Sequence, residues 1–254
     1  MGPPKTALLR HSPLESARFG LRVFRAEADA IDAEEIDAEI ERERIDVAIV
    51  RLPRPALKPA LEELRRCGLA PIVADTLVAY GKGLTAEDRT SGDGRLVLRP
   101  AVRGDADLLA RTARAIFAGY ATHFHANPLF AHDRILDGYA EWAARHAEAH
   151  EGSAAWLVEH DGKLAGFSCY SIDAASGTAT GVLNGILPES RRRGAYRAML
   201  EAMLADFSTK GLRRFHIATQ AHNAAVQHVW TSLGLALERD SHTVHINARR
   251  DRIA

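Results

Sequence analysis

What this sequence lacks narrows its reading first. Of its 254 residues only two are cysteines, Cys67 and Cys169, far apart and without a CxxC partner or a histidine at zinc spacing. That argues against a disulfide scaffold or a zinc ribbon, and a reduced, cytoplasmic setting is the expectation. No apolar run approaches the roughly 18 to 20 residues that a membrane span requires, and the opening MGPPKTALLRHSP has no apolar signal-peptide core. Net charge is missing as well, since Lys plus Arg and Asp plus Glu are each 33. The balance argues against nucleic acid or an anionic membrane as the main partner, so any phosphate recognition is local. Met1, Gly2 and Thr6 formally match a myristoylation pattern, but two prolines follow and such short matches arise by chance.

What is present is a chain of alternating strand and helix patterns. GKGLTAEDRTSGDG, residues 81–94, has no apolar period and reads as a linker between residues 1–80 and 95–254. Before it, FGLRVFRA, IDVAIVRL and PIVADTLVAY are strand-like, separated by two helical stretches of which the second ends at Gly68, a β-α-β-α-β order. After it come a strand, a helix with Asp105 as a plausible N-cap, a second helix, and a hairpin around Asp161-Gly162, a dipeptide suited to positive φ. TATGVLNGIL, YRAMLEAMLADFSTKG, RRFHIATQ and NAAVQHVWTSLG then read strand, helix, strand, helix, closed by a final hairpin through LALERD and HTVHINAR. A mixed α/β (α+β) sheet follows. The two halves also share the order strand, helix, Gly-Leu, strand, with Gly68 matching Gly234 and Thr76 matching Thr243, a degenerate internal repeat.

Only the second half carries RRRGAY. A loop that opens a helix leaves backbone N–H groups unpaired where the aligned peptide dipoles concentrate positive charge. Gly194 allows close approach of a ligand, and Arg191, Arg192 and Arg193 suit phosphate oxygens. A solvated basic turn is the plain alternative.

The stretch Arg191-Arg192-Arg193-Gly194-Ala195-Tyr196, preceded by Pro188-Glu189, resembles the Gln/Arg-x-x-Gly-x-Gly/Ala signature of the GNAT superfamily of N-acetyltransferases, and the likeness extends over about residues 95–248. It implies a GNAT fold with a mixed, mostly antiparallel central sheet, preceded by a smaller β/α domain like a degenerate half-GNAT. It implies acetyl-CoA as acyl donor, its pyrophosphate on the N–H groups of residues 192–196 and its pantetheine along backbone groups of Asn184 and Ile186, where an N–H would stabilise a tetrahedral intermediate. Asn223 matches the family's cofactor-contacting asparagine, and N-capping of the next helix is an equal alternative.

Two departures stand out. Tyr196 replaces a small residue, and Trp230 occupies the position where many members carry a tyrosine that protonates the departing thiolate; an indole N–H only donates a hydrogen bond. The attacking amine needs a base of pKa near neutral, and His123 and His125 in GYATHFHANPLF are the candidates, ahead of Asp133 and Glu141. Their i, i+2 spacing lacks a clear third ligand for a metal, so none is expected. The two-part layout is most similar to dTDP-fucosamine acetyltransferases and their relatives, which implies the 4-amino group of a nucleotide-linked deoxyamino sugar as acceptor and mildly favours a homodimer. Another small-molecule or protein amine, or a non-catalytic acyl-CoA-binding module, are the competing readings.

Overall fold

The computed structural model describes residues 8–90, 95–148 and 152–248. The myristoylation match and residues 91–94 of the expected linker lie outside them. Along the chain run β1 (Arg10–His11), α1 (Pro13–Phe19), β2 (Val23–Glu27), α2 (Ala33–Glu43), β3 (Val47–Pro53), α3 (Arg54–Arg66), β4 (Pro71–Gly83), β5 (Leu96–Pro100), α4 (Ala106–Phe117), α5 (His132–Arg145), β6 (Ser153–His160), β7 (Lys163–Asp173), β8 (Thr178–Ile186), α6 (Ala195–Thr209), β9 (Arg214–Gln220), α7 (Ala224–Ser232) and β10 (Ala236–Asn247). They group into two compact units: Met1–Val78, Ala121–Ile135 and Arg239–Ala254 in the first, Ala79–Tyr120 and Leu136–Glu238 in the second. The first unit thus draws on two segments from beyond the stretch 81–94.

In the first unit the strand order is β1-β2-β3-β10-β4, with β2 parallel to β3 and β10 antiparallel to it. The apolar run of β3 is explained by burial on both faces. Ala48, Val50 and Leu52 face a core with Ile36 and Ile40 of α2 and Leu64 of α3, while Val47 and Ile49 pack with Phe130 on the other side. The start of α2 is set by Asp32, whose carboxylate accepts the N–H groups of Glu34 and Glu35.

The second unit has the order β4-β9-β8-β7-β6-β5, antiparallel from β5 to β8 and parallel between β8 and β9. Asp161 and Gly162, at φ 51 and 71, make the tight turn between β6 and β7. Leu109 and Ile116 of α4 and Ala143 of α5 pack against Leu157, Phe167 and Leu183 of the sheet.

Three local expectations are corrected. Residues 81–83 continue strand β4 and residues 86–90 form a 3-10 helix; Lys82 Nζ bonds Asp88 at 2.6 Å and, at 3.1 Å, the carbonyl of Leu233, a long-range partner that composition does not reveal. Asp105 does not cap α4 with its side chain, because its carboxylate accepts Val102 N–H and pairs with Arg99. The final hairpin is instead one strand, β10, kept extended where Asp240 pairs with Arg54 and Ser241 lies opposite Pro53. The repeat has a local counterpart: α3 and α7 end alike, with Gly68 at φ 77 and Gly234 at φ 81, and the following Leu69 and Leu235 bond back to the carbonyls of Leu64 and Trp230.

Candidate functional site

In the second unit β8 and β9 start as a parallel pair and then part. Their pairing runs from Thr178↔Arg214 to Gly181↔Ile217, although β8 continues to Ile186 and β9 to Gln220. On its other edge β8 stays paired with β7 as far as Ile186, and Leu187 N–H reaches the Ala165 carbonyl at 2.8 Å. Antiparallel bonding alternates, so residues 183, 185 and 187 bond toward β7 while Asn184 and Ile186 direct their N–H and C=O groups to the side that β9 has left. The close seat of β8 depends on glycine. A Cβ on Gly185 would lie 2.5 Å from Ile116 Cγ2, and one on Gly166 2.2 Å from the Gly185 carbonyl oxygen.

At the mouth of this opening is the loop into α6. Arg192 and Gly194 both lie in the left-handed region, at φ 60 and 77, and α6 begins at Ala195. For Arg192 that geometry costs about 1–2 kcal/mol, a strain of the kind that collects at functional turns. None of the N–H groups of residues 192–197 finds a backbone carbonyl among the described residues, so the loop presents a run of donors at a helix start. The three arginines do different things. Arg191 donates to the carbonyls of Ile186 (3.1 Å) and Ile116 (2.9 Å), tying the end of β8 to the end of α4. Arg192 and Arg193 are exposed, and their side chains make no hydrogen bond or ion pair among the described residues.

Tyr196 turns its ring inward. Its hydroxyl donates to Asn184 Oδ1 at 3.0 Å and accepts from Trp230 Nε1 at 3.1 Å. Trp230 is 1% exposed and packs edge-on against Tyr80. The result is a bridge from α7 through α6 to β8, beside the opening. Burial holds the Tyr196 phenol above its ordinary range, against the pull of the Trp230 N–H, and nearby Tyr120 adds to the rise; the hydroxyl keeps its proton at all physiological pH.

A second network, not singled out from the sequence, sits at the end of β9. The Tyr120 hydroxyl bonds Gln220 Oε1 and lies 3.2 Å from Thr219 Oγ1, and Asn223 Nδ2 donates to Thr219 Oγ1 at 3.1 Å. Asn223 stands at the N-cap of α7, but its side chain makes no capping bond. Tyr120 lies within the same stretch, GYATHFHANPLF, as the two candidate histidines.

Those histidines belong to the first unit. His123 Nδ1 lies 2.9 Å from His245 Nε2, and its Nε2 lies 3.3 Å from Arg25 Nη2. Because arginine only donates, His123 Nε2 accepts and its Nδ1–H donates to His245. Burial first, then Arg25, hold His123 well below the usual histidine range, and the same two causes bring His245 to about 3. His123 is therefore a neutral ring with its one lone pair engaged. His125 accepts the Thr122 N–H on Nδ1 at 3.1 Å, capping the turn it sits on, and is exposed. The expectation of a ready base at either residue thus meets a ring whose lone pair already has a donor. Among the described residues no group of three or more His, Cys, Asp or Glu is arranged to hold a metal, and no helix is long and apolar enough to cross a membrane.

Residues 119–235 match the family described as Acetyltransferase (GNAT) family. No curated protein matches the chain. Among solved structures, a functionally unknown conserved protein from Staphylococcus epidermidis superposes with a TM-score of 0.64 at 10% identity, covering 98% of this chain and 93% of its own. A GCN5-related N-acetyltransferase from Sphaerobacter thermophilus gives 0.59 at 12% identity, over 94% and 75% of the two chains. Another from Kribbella flavida gives 0.51 at 16%, over 88% and 80%. At such identities the likeness is one of fold: this chain has the mixed, mostly antiparallel sheet of the GNAT acetyltransferases.

Proposed function

We propose that this protein with a GNAT fold is an acetyl-CoA-dependent N-acetyltransferase acting on a primary amine of a small molecule by direct transfer in a ternary complex. The observation that carries the reading is the opening beyond Gly181 and Ile217, with backbone N–H groups of Asn184 and Ile186 directed into it from one wall and the donor-rich loop 192–196 at its mouth. Acetyl-CoA, when bound, supplies an activated acyl group and a thiolate leaving group. The N–H groups of the loop, with Arg192 and Arg193, suit a pyrophosphate, whereas Arg191 shapes the wall by holding the Ile186 carbonyl. An N–H of β8 directed into the opening suits the oxyanion that forms when an amine attacks. Asn223 and the Tyr120 network line the end of β9 on the opposite arm.

On this reading Trp230 acts through Tyr196. Its N–H is donated to the Tyr196 hydroxyl, the one ionisable group of the bridge, and that hydroxyl, which burial makes a weaker acid, would serve a departing thiolate as a hydrogen-bond donor on turning from Asn184. The finer acceptor reading is a nucleotide-linked 4-amino deoxysugar, supported by the resemblance of the N-terminal segments described above. The test is release of free CoA from acetyl-CoA over a panel of amines that includes such sugars, amino acids and peptides. Turnover with an amine is expected; tight acetyl-CoA binding without turnover on any amine would leave a binding module in place of an enzyme. Preference for amino acids or peptides would remove the sugar.

A further inference from the structure

The first unit contains a cavity of about 520 Å3 that the acyl-transfer reading does not use. It opens over one face of the β1-β2-β3 sheet, where register sets Arg10 opposite Arg25 and Glu27 opposite Arg51. Residues 25 and 27 of β2, like 49 and 51 of β3, alternate onto the same face, so three arginines converge there. Like charges set directly across a strand pair destabilise it unless something negative lies between them.

The cations are unevenly compensated. Arg25 is paired: its guanidinium bonds both oxygens of Glu15, reaches His123 and lies 6.0 Å above the Phe124 ring. Arg51 has one long contact, 3.4 Å to Glu27 Oε1, and its side chain is 28% exposed. Burial and the neighbouring Arg25 both weigh against its charge, with only Glu27 and Asp75 opposing them. Arg10 is exposed and makes no hydrogen bond or ion pair among the described residues. Two guanidinium forks thus border the cavity with donors to spare, and Leu14 and Ile49 give it apolar walls. The volume lies within the span of about 300–1,000 Å3 typical of small-molecule pockets.

We propose that this cavity binds a small organic dianion, a phosphate monoester or a dicarboxylate, whose acidic oxygens are gathered by Arg10 and Arg51 while its carbon skeleton rests on Ile49 and Leu14. The site goes beyond the acyl-transfer reading and stands or falls without it. Two guanidinium forks on neighbouring strands match a doubly charged head, and the mixed walls favour an ester or diacid over the bare ion. A single negative charge would satisfy one fork and leave the other repelled by Arg25.

Calorimetric titration of the full chain with glycerol 3-phosphate, succinate, inorganic phosphate and acetate tests this, the first two separating the ester from the diacid. One of the two organic dianions is expected to bind saturably at one site, at least tenfold tighter than acetate and more tightly than inorganic phosphate. Arg10→Gln and Arg51→Gln should each weaken it fivefold or more, whereas Arg192→Gln and Arg193→Gln should leave it unchanged. Arg10 is exposed, so its replacement keeps the fold and decides the matter even if Arg51→Gln unfolds. Failure of both organic dianions to bind saturably, binding that persists in Arg10→Gln, or binding lost in Arg192→Gln would each overturn the proposal. Acetyl-CoA affinity, measured alongside, reports on the second unit separately.

Discussion

Replacing Tyr196 with Phe removes one oxygen from the centre of the Trp230–Tyr196–Asn184 bridge. The Trp230 indole is 1% exposed, so its N–H, now without an acceptor, has no water to turn to. An orphaned buried donor costs about 1–3 kcal/mol. Asn184 is half-buried and its Oδ1 can recruit solvent, so it adds less. The expected loss is about 2 kcal/mol, which in a chain of this size lowers the melting temperature by roughly 4–8 °C. Trp230→Phe destabilises by a different route, a void beside Tyr80, at about 1–3 kcal/mol. With both changes together no donor is left orphaned, so the double variant should be less unstable than the sum by about 1 kcal/mol. Urea unfolding of the four proteins measures this coupling. Additivity to within about 0.3 kcal/mol, or a Tyr196→Phe protein as stable as the parent, would refute the bridge. The same variant should lower kcat at least tenfold with little change in acetyl-CoA affinity if the hydroxyl also serves the thiolate.

Other consequences can be checked as directly. Arg192→Gln and Arg193→Gln should each weaken acetyl-CoA binding severalfold and flatten its salt dependence, while Arg191→Gln, which frees two carbonyls, should show mainly as lost stability in a melting scan. Gly185→Ala must displace Ile116 or β8 itself, so a loss of about 1–3 kcal/mol together with weakened acetyl-CoA binding is expected in parallel unfolding and titration experiments. Acid should destabilise the chain through His123 and His245: both have depressed values when folded, so the unfolded chain binds more protons and stability falls as pH drops through about 6.5. Each contributes about 1.4 kcal/mol per pH unit, down to about pH 3 for His245, and a His245→Gln variant should show a shallower decline in unfolding free energy between pH 6.5 and 5.

How much of this was legible beforehand depends on range. Elements written in local chemistry could be read off: the Asp161-Gly162 turn requires two positive φ values, and Gly68 and Gly234 mark helix ends through bonds spanning a few residues. The loop at residues 191–196 was visible for the same reason, since a glycine and consecutive arginines before an apolar helix are local facts. Within GKGLTAEDRTSGDG, residues 81–83 continue strand β4 and Lys82 bonds the Leu233 carbonyl about 150 positions away, a partner no local composition reveals.

The sequence by itself determined the order of strands and helices from β2 to α7, the position of the basic loop and the two departures at Tyr196 and Trp230, because periodicity and turn dipeptides act between near neighbours. Only the tertiary structure decided what those residues do. Arg191 became a tie between β8 and α4 instead of a third free cation, and Tyr196 met Trp230 across 34 positions. His123 found His245 across 122 and lost its free lone pair. Such pairings follow from which buried donors and acceptors the fold brings within 3 Å of each other, and no local pattern encodes that distance.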